Sequence, residues 1–270
     1  MQKYAMLLSY SGTKYCGWQR QKGSAAGGAH SIQATLEDVL HQITGEKFAV
    51  VGSGRTDAGV HATGQVAHFI LKEKIWEEWV LSRGLNSLLS RNIQVLALQK
   101  VPMEFHAQRS ATKKQYSYYF QQGPAALPHL EPYSWWIRKR LDLVALEKAL
   151  SYLKGQHDFK AFQSSGAKPG PTVREIIEAE VSLEQVHFPG TTPLIQNDIG
   201  LVRIRLVGTG FLKQMVRGIA GTLLQVGERR REPECIREII EAKKRSGVGP
   251  TAPGRALWLE QVWYPELNWN

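Results

Sequence analysis

The chain has 270 residues, enough for one large domain or two medium ones around a buried core. Its composition is that of a soluble globular protein, 43% apolar and 21% charged, and no apolar run reaches the roughly 18 residues of a membrane span. Lysine and arginine exceed aspartate and glutamate by 34 − 24 = 10, an excess that points to a polyanionic partner.

In chain order, residues 3–10 (KYAMLLSY) read as a strand. Ile32, Leu36, Val39, Leu40 and Ile43 form one stripe of an amphipathic helix over 31–43, with Ser31 as its N-cap and Gly45 as its stop. Residues 48–51 and 64–70 read as paired strands, 75–89 as a second helix and 93–100 as a fourth strand. That order, β-α-β-β-α-β, is the split ferredoxin-like unit. The second half is similar: strand 110–121, helix 143–153, strands 174–183 and 201–207 around a turn-rich loop (FPGTTPLIQNDIG), helices 211–226 and 234–243, and a last strand 257–264. The expected fold is therefore α+β, with two ferredoxin-like halves joined into a mainly antiparallel central sheet, flanking helices and a central cleft. The boundary falls within 102–109, giving an N-terminal subdomain over 1–105 and a C-terminal subdomain over 106–270.

Two cysteines, Cys16 and Cys235, support neither a disulfide framework nor a metal cluster. No secretory signal is evident, so a cytoplasmic, reducing compartment is expected. His61, His68 and His106 lack ligand spacing, and no phosphate loop or dinucleotide fingerprint is present. The basic residues cluster as Arg138-Lys139-Arg140, Arg229-Arg230-Arg231, Lys243-Lys244-Arg245 and Lys113-Lys114, which together with the net charge favours nucleic acid.

Three constellations could carry chemistry. In VGSGRTDAGVHATGQVAHF (51–69), Asp57 lies two residues after Arg55. An arginine there would keep a carboxylate ionised for attack or proton transfer. Gly52, Gly54, Gly59 and Gly64 would permit positive φ and close approach of a ligand. A plain Asx turn fits the same pattern equally well. At strand spacing Tyr116, Tyr118 and Phe120 share a face and Tyr119 lies opposite, as a core face or as a stacking platform for bases, with Lys113 and Lys114 suited to phosphates. In FLKQMVRGIAGTLLQVG the apolar stripe is Phe211, Leu212, Met215, Val216, Ile219 and Leu223, and Arg217 projects roughly opposite it. Periodicity favours an exposed arginine; however, Gly218 and Gly221 would let a second backbone pack on this helix, and Arg217 would then be a covered cation needing a carboxylate.

GRTDAGVHATGQVAHF resembles the signature of the TruA-type tRNA pseudouridine synthases. Further blocks resemble the family in the same order: YSGTKYCGWQRQ, SIQATLE, FHAQRSATKKQYSYYF, FLKQMVRGIAGTLLQVG and ALWLEQVWYP. The resemblance covers nearly the whole chain. It implies isomerisation of uridine to pseudouridine in tRNA, at positions 38, 39 and 40 of the anticodon arm, by a homodimer that uses no cofactor or metal and no membrane. By motif, Asp57 is the essential carboxylate, acting either at C1′ or on the C2′ proton. Tyr116 lies against the target base, Arg217 pairs with the carboxylate, Arg55 supports the flipped nucleotide, and Leu257 supplies an apolar wall. Gln19, Arg20, Arg109, Lys113 and Lys114 become RNA contacts. The chain departs from the family in a longer 22–30 loop, in Gln115 before Tyr116, and in Gln108-Arg109. Two other readings compete: a non-catalytic RNA-binding protein, which leaves the Asp57, Tyr116 and Arg217 set unexplained, and a hydrolase, for which no second carboxylate stands near Asp57.

Overall fold

In a computed structural model of the chain, residues 1–20, 30–166, 169–184 and 200–269 are described. The 22–30 loop, apart from His30, and the turn-rich loop before Gly200 fall outside them. No helix among the described residues is long and apolar enough to cross a membrane. The chain forms two compact units, residues 1–114 with 258–270, and residues 115–257. The expected boundary at 102–109 thus lies a few residues earlier, and the last strand, placed by chain order in the second half, is mostly in the first unit.

The first unit follows the order β1 (Gln2–Tyr10), α1 (Ile32–Thr44), β2 (Val51–Gly52), β3 (His61–Leu71), α2 (Glu78–Leu88), β4 (Ile93–Val101). Strands run β4-β1-β3, antiparallel throughout, with β2 also antiparallel on β3. Ser31 caps α1 as expected, accepting the Ala34 N–H at 3.1 Å, and Gly45 ends the helix at φ 77°. Tyr4 of β1 stacks on Phe69 of β3, which also carries Phe48.

Two elements are shorter than their sequence pattern because side chains claim their backbone. Residues 48–50 do not join the ladder: the Val50 N–H donates to Glu37 Oε1 and its carbonyl accepts from Gln33 Nε2, both on α1. Helix α2 starts at Glu78 rather than 75. The Tyr4 hydroxyl bonds both the N–H and the carbonyl of Trp76, and Glu46 accepts the N–H groups of Lys72 and Glu73.

The second unit contains β5 (Lys113–Gln122, from Gln115 onward), β6 (Trp135–Ile137), α3 (Leu143–Ser151), β7 (Gly155–Asp158), β8 (Val173–Glu184), β9 (Gly200–Gly208), α4 (Met215–Gly227) and α5 (Cys235–Ala242). Strands run β5-β9-β8-β7, with β6 parallel on β5. The short strands β6 and β7 carry too little pattern to be read from sequence. Helix α4 begins at Met215 rather than 211, because Gln214 takes a left-handed conformation (φ 59°) and the Lys213 carbonyl accepts the Ser164 N–H. β10 (Leu257–Trp263) pairs in parallel with β3 through Trp258 and Leu259. That pairing is why it groups with the first unit.

Candidate active site

Residues 53–60 connect β2 to β3, and buried polar side chains hold them from beneath. The Ser53 N–H donates to the Val66 carbonyl (2.7 Å), and its hydroxyl donates to Gln65 Oε1 (2.6 Å). Gln65 Nε2 donates to the Gly54 carbonyl at 3.0 Å and lies 3.5 Å from the Tyr10 hydroxyl, which in turn is 2.9 Å from Thr56 Oγ1. Ser53 and Gln65 are fully buried. A buried polar group left without its partner costs about 1–3 kcal/mol, so these groups favour one loop conformation. Burial pushes the Tyr10 phenol up to about 12, and it stays neutral.

Gly59, at φ 77°, makes the turn closed by the Val60 N–H on the Asp57 carbonyl (3.2 Å). Gly52 and Gly64 differ from their expected role, because protein fills the space beside them. A Cβ at Gly52 would lie 2.6 Å from the Trp18 ring, and one at Gly64 2.1 Å from the Glu260 carbonyl oxygen. On this support Asp57 is half-buried and Arg55 is exposed. His61 is structural: its Nδ1 accepts the Gly12 N–H, and its ring stacks on Trp258 at 4.4 Å.

In the second unit, α4 is covered on nearly all sides, with 11 of its 13 residues buried. Gly221 explains how. A Cβ there would lie 1.7 Å from the Pro250 carbonyl oxygen, so only glycine lets the following segment lie against the helix. The Gly249 N–H donates to Thr222 Oγ1 at 3.0 Å. That segment also changes the setting of Arg217. Arg217 is half-buried rather than exposed, its Nε donates to the Ala252 carbonyl (2.7 Å), and its own carbonyl accepts the Ala252 N–H (3.1 Å). Helical periodicity sees only the helix and cannot register a segment arriving 30 residues later.

Tyr118 and Phe120 are fully buried and pack with Trp135, so they are core rather than a platform for bases. The Tyr118 hydroxyl donates to the Pro253 carbonyl (3.0 Å). Burial pushes its pKa up, against the opposing charges of Arg217 and Arg255. Tyr116 is 7% exposed and meets Phe211 edge-on at 5.0 Å. Tyr119, facing the other way, has the Arg203 guanidinium 5.9 Å from its ring centre. Leu257 is buried at the start of β10.

Several residues read as RNA contacts have protein partners. Arg20 binds Glu37 and Asp38, both at 2.8 Å. Lys114 donates to the Ser53 carbonyl (2.6 Å), Lys113 sits over the Trp263 ring, and Gln19 donates to Gln33 Oε1 (2.6 Å). Arg109 is exposed, and the His106 ring holds its N–H at 3.3 Å. The residues that sequence reasoning missed are Gln65, Tyr10, Ser53 and Thr56, which hold the loop. Gln65 carried a signal, being a polar residue in the apolar run of β3.

Residues 6–108 and 149–265 match the tRNA pseudouridine synthase family. The chain belongs to that family. It is 38% identical to a tRNA pseudouridine synthase A of Bdellovibrio bacteriovorus over 98% of this chain and 95% of that protein. It is 41% identical to one of Lawsonia intracellularis and 39% to one of Acetivibrio thermocellus, in each case over 98% of this chain and all of the relative. A solved Cbf5–Nop10–Gar1 complex aligns with 82% of this chain and 45% of that one at 11% identity and a TM-score of 0.32, which adds nothing to the family match.

Proposed function

We propose that this protein isomerises uridine to pseudouridine in tRNA. What supports the reading is a match to tRNA pseudouridine synthases over nearly the whole chain, together with Asp57 on a loop whose backbone is fixed by buried hydrogen bonds. The substrates are uridines 38, 39 and 40 of the anticodon arm, and the working form is a homodimer. Asp57 is the catalytic carboxylate. It either attacks C1′ as the C1′–N1 bond breaks, or removes the C2′ proton to give a glycal. The freed uracil turns and C5 bonds to C1′, as the Asp57–C1′ ester bond breaks on the first route or as Asp57 returns the proton to C2′ on the second; the C5 proton is then lost and N1 takes one up. The reaction is an isomerisation and consumes no co-substrate.

A uridine in a stacked stem is out of reach, so it must be flipped at a cost of a few kcal/mol. Arg55, exposed and two residues from Asp57, supports the flipped nucleotide. Tyr116 lies against the base, Leu257 walls the pocket, and Arg217 pairs with Asp57, a cation for a carboxylate that must stay ionised. The test is tRNA carrying tritium at uracil C5, incubated with the protein in the presence of a chelator. The expected result is tritium release with an intact strand; strand cleavage, or binding without release, contradicts the reading.

A further inference from the structure

The basic runs Arg138-Lys139-Arg140 and Arg229-Arg230-Arg231 have no role in the chemistry above, yet the second unit brings them together. Residues 138–140 lead from β6 to α3, and Arg229 follows the end of α4. Asp142 joins the two. Its N–H donates to the Gly227 carbonyl (2.8 Å), its Oδ1 caps α3 through the Ala145 N–H (3.1 Å), and its Oδ2 accepts from Arg229 Nε (2.8 Å). Gly227 is closely packed, since a Cβ there would lie 2.9 Å from a Leu141 methyl group and 3.2 Å from the Leu141 Cβ. Between the runs is a shallow groove of about 300 Å³, whose lining includes Lys139, Arg140, Asp142, Glu228 and Arg229. Arg138, Lys139, Arg140, Arg229 and Arg230 are all exposed. The nearby carboxylates are Asp142 and Glu228, the latter paired with Arg230. The five exposed cations of the two runs outnumber the two carboxylates that line the groove.

Arg229 provides an independent observation. It has φ 55°, the left-handed position just past a helix end, where glycine is the favoured residue. An arginine there is less stable than glycine would be, and such outliers concentrate where the side chain has a task. The helix dipole favours a cation near this end but does not require it in the left-handed slot. Its ion pair with Asp142, with the arginine side chain 80% exposed, is of the kind that contributes little and exchanges readily for a phosphate.

We propose that this groove binds the phosphate backbone of the tRNA, as a second contact apart from the residues assigned to the chemistry. The proposal rests on the tRNA-modifying reading above. Arg217 and Gly227 are ten residues apart on α4, about 15 Å at helical rise, so the contact falls on nucleotides away from the reacting one. Residues 138–140 also lie between the two stretches that match the family, so this half of the groove belongs to a stretch of the chain outside that match.

The test compares salt dependence of tRNA binding and steady-state kinetics for three proteins. The Arg138→Ala/Lys139→Ala/Arg140→Ala variant removes one half of the groove, Arg229→Gly removes the strained arginine, and Lys47→Ala/Lys72→Ala/Lys74→Ala removes three exposed charges in the first unit. The triple groove variant is expected to flatten the log–log salt slope by about 1 to 2 and to raise KM roughly tenfold, with kcat unchanged. Arg229→Gly is expected to raise KM a few-fold while the melting temperature holds or rises, which loss of a structural residue would not do. Equal effects from the first-unit control, or an unchanged slope in the groove variant, overturn the proposal. So does a loss of binding to phosphatidylglycerol vesicles with tRNA binding intact, which would make the surface a membrane contact. If the wild-type protein forms no pseudouridine, the underlying reading fails instead.

Discussion

The Asp57 loop and the Arg217 helix fix their polar side chains by different means. The loop has little apolar material to pack, and hydrogen bonds from Ser53, Gln65, Tyr10 and Thr56 set its path. The helix is set by packing, with Gly221 against the Pro250 carbonyl and Arg217 tied to both backbone groups of Ala252. A polar network depends on single atoms, and losing one hydroxyl removes one constraint. A packed backbone contact depends on volume, and one added methyl group displaces a whole segment. The loop should therefore respond to isosteric deletions and the helix to small additions.

Among the residues that support Asp57, the helix side should matter most. Under the proposed pairing with Asp57, Arg217→Ala should lower kcat roughly 10²- to 10³-fold, the range for removing an electrostatic stabiliser from an active site, with tRNA affinity nearly unchanged. An effect confined to KM would make Arg217 a binding residue only. Next comes Gly221→Ala, expected to destabilise by about 3 kcal/mol, readable in denaturant melts. A wild-type midpoint would mean that the Pro250 segment can move aside at little cost.

The third prediction concerns pH. His68 is buried, and its Nδ1 accepts the Ala107 N–H at 3.1 Å. Burial, then His106, Lys3 and Arg109, hold its pKa down at about 4 against 6.5 in the unfolded chain. The folded state binds the proton less well than the unfolded one, so this contribution is present above pH 6.5 and is lost as pH falls toward 4. Allowing for solvent screening, it amounts to about 2 kcal/mol. His68→Asn keeps an acceptor for Ala107 and should flatten the stability profile between pH 6.5 and 4. An unchanged profile would assign acid lability elsewhere.

The hydrogen bonds beneath the loop should matter least one by one. Tyr10→Phe deletes only the hydroxyl, which meets Thr56 and Gln65, and should destabilise by about 1 kcal/mol. It should also lower kcat about fivefold with tRNA affinity intact. A pure stability loss with normal kcat would show that the loop keeps its geometry without that bond.

Much of this was legible in the sequence, and the exceptions share a cause. Local signals held where the structure is local: Ser31 caps α1, Gly45 ends it, and β1, β3, β4, β8 and β9 appear near their expected positions. The misplaced starts of β2, α2 and α4 follow from contacts between distant residues, such as Glu37 with Val50 and Tyr4 with Trp76. Parallel pairing of β10 with β3 joins residues nearly 200 positions apart and leaves no periodicity to read. At the site, Gly221 announced a second backbone beside α4, whereas Gly218 faces only side chains and the spacing of Arg217 alone suggested open solvent. The hydrogen bonds under Asp57 were hidden because Gln65, though out of place in an apolar run, has no readable partner until β1 and β3 bring Tyr10 beside it.

Asp57→Asn separates a carboxylate that carries out the chemistry from one that only holds a turn. Asparagine preserves the turn but is neither an ionised nucleophile nor a base. With C5-tritiated tRNA, the expected result is tritium release lowered by at least roughly 10⁴-fold, with tRNA affinity and melting temperature at wild-type values. Release within about tenfold of wild type would contradict the assignment.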